Sequence, residues 1–140
     1  MKKVTPLLTV EAIEPCLPFW TEKLGMEVTV TVPHGDAIGF AILQKGDVEL
    51  MYQTRASIEA DLGTSGAPKN LGRELSGSTS TLFVEVERLD DVIGALGGDV
   101  KVLVPRRQTS YGMDEIFVRP PCGTVVGFAA KAAQKQQKQK

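Results

Sequence analysis

Residues Thr5–Val32 read TPLLTVEAIEPCLPFWTEKLGMEVTVTV, a pattern of strand, helix, strand. Thr5–Val10 is a short apolar run, and Pro15 then stands where the first residue of a helix tolerates a missing N–H. At ~100° per residue, Cys16, Leu17, Trp20 and Leu24 gather into one apolar stripe. Gly25 follows as a C-terminal cap, so the spacing predicts a helix over Pro15–Leu24. Met26, Val28, Val30 and Val32 alternate with Glu27, Thr29 and Thr31, the period of a strand with one buried face.

A smaller copy of this unit recurs at Thr81–Val104, TLFVEVERLDDVIGALGGDVKVLV. Its strand is Thr81–Val86, and Leu89, Val92, Ile93 and Leu96 recur at helical spacing until Gly97-Gly98 stops them. Val100–Val104 is the next strand. After the first unit, Val32–Asp36 is a turn by composition, with His34 inside it. Ala37–Leu43 and Val48–Tyr52 are apolar strands linked through Gln44-Lys45-Gly46-Asp47. Arg55–Leu62 makes a short helix ending at Gly63. In the second half, the loop Pro105–Met113 leads to strands Glu115–Val118 and Thr124–Ala129. Each half is therefore β-α-β-β-β: module one over residues 2–54, module two over 79–130. Residues 63–78 are rich in Gly, Ser, Pro and Asn without apolar period and read as a linker. A four-stranded sheet cannot bury both faces alone, so the modules are expected to form one domain over residues 1–130.

Charge and composition narrow the function. The net charge is −1, but residues 131–140, KAAQKQQKQK, hold four lysines and no acid, which leaves −5 on the rest. An acidic body argues against nucleic-acid binding, and the tail is expected to be a disordered, solvated terminus. No run approaches the ~20 apolar residues of a membrane span. Two cysteines, Cys16 and Cys122, make no disulfide framework, so a reduced, cytoplasmic setting is expected. Cys122 has no basic neighbour in sequence to activate it.

With two β-α-β-β-β modules, and with LPFWTEKLGMEV (17–28), VELMY (48–52) and RPPCGTVVGFA (119–129), the chain resembles the vicinal oxygen chelate superfamily. That superfamily holds glyoxalase I, bleomycin resistance proteins and extradiol dioxygenases; the resemblance is to its bleomycin-resistance-like branch. It implies an α+β fold of two βαβββ modules whose curved mixed sheets form a cleft, in a homodimer. It also implies metal positions on the first and last strands of each module. Carried onto this chain, these are Thr5, Glu49, Thr81 and Gly127, of which only Glu49 is of ligand type, so neither metal nor other cofactor is expected.

Alternation sets Glu49 and Met51 on the cleft side, with Val48, Leu50 and Tyr52 toward the helix. The candidate ligand-binding residues are thus Glu49, Thr5, Thr81, Met51, Phe83 and Glu85, with Tyr111 on a loop that in this superfamily overhangs the cavity. An apolar face with few carboxylates suits a small organic molecule of some cationic character. Glu49 carries two readings, a ligand contact or a relic carboxylate satisfied by water or a hydroxyl. Phe19 and Trp20 are expected in the core, and Arg106, Arg107 and Arg119 as solvated charge. The expected function is a metal-free binding protein that sequesters an antibiotic or another organic ligand, rather than an enzyme. The alternative is a glyoxalase-like lyase or dioxygenase with a non-standard metal set drawing on Asp114 or Cys122.

Overall fold

Duplication in the sequence becomes two four-stranded mixed sheets of the same topology, giving an α+β fold. The computed structural model describes residues 2–62, 65–76 and 80–132. The chain divides into two units, Met1–Thr79 and Ser80–Lys140.

The first unit opens with β1, Leu7–Val10, and then a helical connection. That connection begins as a 3-10 turn, Glu14–Cys16, and widens into π-helical winding over Phe19–Lys23. The helix expected at this place is present, but Pro15 and Pro18 each remove a donor from the α ladder and the turns do not wind uniformly. The changed winding also changes the buried stripe. Ile13, Cys16, Phe19 and Trp20 are buried, while Leu17 and Leu24 are only half-buried. Gly25 ends the segment at φ +74.

Three antiparallel strands follow: β2 (Glu27–His34), β3 (Ala37–Lys45) and β4 (Val48–Thr54). Their links are two-residue turns, Gly35-Asp36 and Gly46-Asp47. Only the glycine takes a positive φ in each, as Gly-first hairpin turns require. His34 consequently ends β2 instead of lying in a turn. The sheet order is β1-β4-β3-β2, with β1 parallel to β4. Ala41, Leu43, Leu50 and Tyr52 are buried, and the Trp20 indole N–H donates to the Tyr52 hydroxyl at 2.9 Å. The buried valine face expected on β2 does not form. Val30 and Val32 are 42% and 48% exposed, because β2 is an edge strand whose register shifts between Val28 and Val30 and again at Pro33.

Helix α1, Arg55–Leu62, starts where the Thr54 hydroxyl accepts the Ser57 N–H, an N-cap bond. A second helix, α2 (Leu71–Ser76), occupies part of the stretch read as linker. It has no apolar stripe to reveal it. Close approach at Gly72, where an added Cβ would lie 2.3 Å from Arg55 Cγ, seats α2 on α1.

The second unit comprises β5 (Leu82–Glu85), α3 (Leu89–Leu96), β6 (Lys101–Gln108), β7 (Met113–Arg119) and β8 (Val126–Lys131), in sheet order β5-β8-β7-β6. Leu89 and Leu96 of α3 are buried, as are Ile116, Val118, Val126 and Phe128. Strand β6 runs four residues past Val104, so Arg106 and Arg107 are strand residues and not loop. Pro105 is tolerated because β6 is an edge strand with a register shift between Val104 and Arg107. Lys131 closes β8 opposite Met113 and is not part of a tail. The remainder of the basic tail expected, 133–140, lies outside the described residues, as do 63–64 and 77–79 of the stretch read as linker.

Candidate functional site

On the first sheet, β4 sends Leu50, Tyr52 and Thr54 into the core, so Glu49 and Met51 share the opposite face, as alternation requires. Register adds their neighbours: Met51 lies between Leu7 of β1 and Ile42 of β3, and Gln44 lies opposite Glu49. Leu7 is 42% exposed, and Ile42 and Met51 are half-buried. This face is apolar with one polar end.

Glu49 is that end. Its Oε1 accepts the Thr5 hydroxyl at 3.1 Å and pairs with the Lys3 ammonium at 2.6 Å, while Oε2 accepts the Gln44 amide at 2.6 Å. Thr5 and Glu49 are therefore brought together. The Glu49 side chain is 14% exposed. Its carboxyl is held below the ordinary glutamate value chiefly by the Lys3 hydrogen bond; burial opposes this, and Thr5 and Gln44 add to it. Folded Glu49 thus binds its proton less readily than unfolded Glu49. The cluster stabilises fully above the ordinary glutamate value, about 4.3, and that contribution is lost as pH falls through the lower folded value. Thermal melts from neutral to acid pH are expected to fall more steeply below about pH 5 in the native protein than in Glu49→Gln. Superimposable profiles would show that the cluster adds no stability.

On the second sheet, Phe83 of β5 lies opposite Gly127 of β8, and Gly127 lies opposite Phe117 of β7. The Phe83 and Phe117 rings are 6.2 Å apart, tilted by 45°, with Phe83 54% exposed. Glu85 shares that face, two residues along, and is exposed; Thr81 is exposed just ahead of β5. Met51 occupies the place opposite Leu7 that Gly127 occupies opposite Phe83. By this duplicated register Val125, and not Gly127, corresponds to Glu49.

Glu115 of β7 went unrecognised in the sequence, yet it is the most buried carboxylate among the described residues, 1% exposed. Arg107 donates to its Oε2 from Nε at 3.1 Å and from a terminal nitrogen at 2.8 Å, and the Tyr111 hydroxyl donates to its Oε1 at 3.1 Å. Tyr111 therefore anchors the β6–β7 hairpin to Glu115, with its side chain still largely exposed. Neither Arg106 nor Arg107 is simply solvated. Arg106 pairs with Asp114 and Asp90, which together raise its pKa further, tying β6 to β7 and α3. The signal for these pairs was the hairpin register, Arg107 opposite Glu115 and Gln108 opposite Asp114.

Glu49 brings one carboxylate to this end of the face, fewer than the three or more protein ligands that a metal takes. Glu49 is already satisfied by three donors of its own chain, and among the described residues no group of three or more His, Cys, Asp and Glu side chains could hold an ion. His34 is exposed at the end of β2. Neither cysteine carries a free thiol, which corrects the expectation of a reduced pair and removes Cys122 as a nucleophile. Among the described residues no helix is long and apolar enough to cross a membrane.

No family model matches the chain, and neither does any curated protein. Solved structures do. TioX from Micromonospora sp. ML1 matches with a TM-score of 0.69 at 14% identity, over 92% of this chain and 99% of the other. A glyoxalase/bleomycin resistance protein/dioxygenase from Nocardioides matches at 0.64 and 19%, over 94% and 85%. A bleomycin-binding protein from Streptomyces verticillus, complexed with copper(II)-bleomycin, matches at 0.58 and 20%, over 96% and 98%. At these identities the likeness is one of fold.

Proposed function

From a chain with the glyoxalase/bleomycin resistance fold, we propose a protein that binds a small organic molecule without a resident metal, holding its ligand instead of transforming it. The observation that carries this reading is the face of Leu7, Ile42 and Met51, apolar and incompletely buried, with the ionised Glu49 cluster at its end. Apolar walls with a few placed polar groups are the composition of a small-molecule site. The structural likeness to a protein that binds bleomycin supports an antibiotic or similar compound as the ligand class. Phe83 and Phe117 offer a second apolar surface on the other sheet. We also propose a homodimer, because β2 and β6 are edge strands that a second chain could cover.

The metalloenzyme alternative has little support. Asp114 is engaged by Arg106, and Cys122 has no free thiol to deprotonate. Thermal-shift screening of organic compounds tests the proposal. A binder present at about a hundred times its dissociation constant adds about 2.7 kcal/mol to stability and raises the melting temperature. Stoichiometric zinc, nickel, iron or manganese that survives dialysis would overturn the metal-free reading. A broad screen without a single concentration-dependent shift would overturn ligand binding.

A further inference from the structure

The three donors on Glu49 are not equivalent. Gln44 sits on β3 in direct register with Glu49, and Thr5 lies two residues ahead of Leu7, whose partner is Met51. Both are fixed by the sheet. Lys3 lies four residues ahead of β1 in a stretch without regular structure, and its side chain is 56% exposed against 14% for Glu49. A long, flexible ammonium of this kind is a replaceable partner, whereas the carboxylate beside an apolar face cannot be left without one except at a desolvation cost.

We propose that Lys3 is an internal stand-in for the cationic group of the ligand. A molecule with a primary ammonium or guanidinium on an apolar body displaces it. The ligand's charge takes the Lys3 place on Oε1, Thr5 and Gln44 keep their bonds, and the apolar body lies along Leu7, Met51 and Ile42. Exchanging cation for cation leaves Glu49 neutralised both before and after binding. A neutral ligand brings no charge to replace that of Lys3 and does not displace it from Glu49. This inference rests on the ligand-binding reading of the same face and adds the chemical class and a built-in competitor. Because the site is open to a cation only when Lys3 is off, the apparent affinity is lowered by the fraction of protein in the open state. For an ion pair with one exposed partner that factor is about fivefold.

The test uses the full chain with two probes of equal shape, benzylamine, charged at neutral pH, and benzyl alcohol. Each is titrated at millimolar concentration while the backbone amide signals of Leu7, Gln44 and Met51 are followed. Benzylamine is expected to bind Lys3→Met about fivefold more tightly than the native protein and to lose that gain in Lys3→Met/Glu49→Gln. Benzyl alcohol is expected to be indifferent to Lys3→Met. Equal benzylamine affinity for the native protein and Lys3→Met, or a gain that persists without the Glu49 charge, overturns the displacement. If benzyl alcohol still moves these amides in that case, the ligand-binding reading survives alone. If neither probe moves them in any variant, both fall.

Discussion

Gly127→Ala is expected to destabilise the protein by about 1–3 kcal/mol, the range for forcing extra volume into a packed site. The Cβ would stand 2.5 Å from Phe117 Cε2, 2.8 Å from Cζ and 2.9 Å from Cδ2. Carbon atoms do not approach so closely, so the Phe117 ring would have to leave the backbone of β8 and the tilted contact with Phe83. Phe117 and Gly127 are register partners, with the ring of one filling the space left by the missing side chain of the other. The effect should therefore belong to the pair. In Phe117→Leu the added methyl meets a shorter side chain, and a double-mutant cycle by urea unfolding is expected to show coupling of 0.5 kcal/mol or more, as for other residues in contact. Additive losses would mean that Phe117 does not hold this position, and an unchanged midpoint in Gly127→Ala would mean that the sheet relaxes without cost.

Arg107→Met is expected to cost about 2–3 kcal/mol. Removing one partner from a buried ion pair costs about 3–5 kcal/mol, and the lower figure allows for water reaching the vacated place, since Arg107 is itself 54% exposed. Glu115 would retain the Tyr111 hydroxyl as a donor, on a carboxylate that is 1% exposed. Adding Glu115→Leu removes the stranded charge and is expected to restore most of the loss, because an apolar side chain of similar size replaces a buried pair at little cost. Urea midpoints at constant slope would measure both steps. A loss below about 0.5 kcal/mol in Arg107→Met, or a double variant less stable than the single one, would show that solvent and not Arg107 satisfies Glu115.

Local pattern was the reliable part of the sequence. Leu89–Leu96 and Arg55–Leu62 form the helices their spacing and end residues indicate. The two-fold repeat of β-α-β-β-β is present in both sheets. Alternation also placed Glu49 away from Leu50 and Tyr52, since that assignment needs only neighbours along one strand. Reading became unsafe where a strand's environment depends on its position in the sheet. The valines of β2 alternate as a buried face does, yet edge position and two register shifts leave Val30 and Val32 partly open. Pro105 looked like the end of β6 and is instead accommodated at an edge. In α2, one close-packed glycine does the work of an apolar stripe.

The partners of the candidate site were less legible for a related reason. Thr5 and Glu49 are 44 residues apart in sequence, and their hydrogen bond exists because β1 lies parallel to β4 in one register. Shifting that register by one residue would turn every side chain of β1 to the other face. Lys3 has no regular structure to announce its contact, and Glu115 looks like any strand carboxylate until β6 brings Arg107 opposite it. The amino-acid sequence by itself determined the strands, helices α1 and α3, their order and the face on which Glu49 stands, because those follow from short-range sterics and periodic burial. Which groups neutralise Glu49 and Glu115 was decided only by the tertiary structure, because charge pairing is set by distance through space and register is what sets that distance.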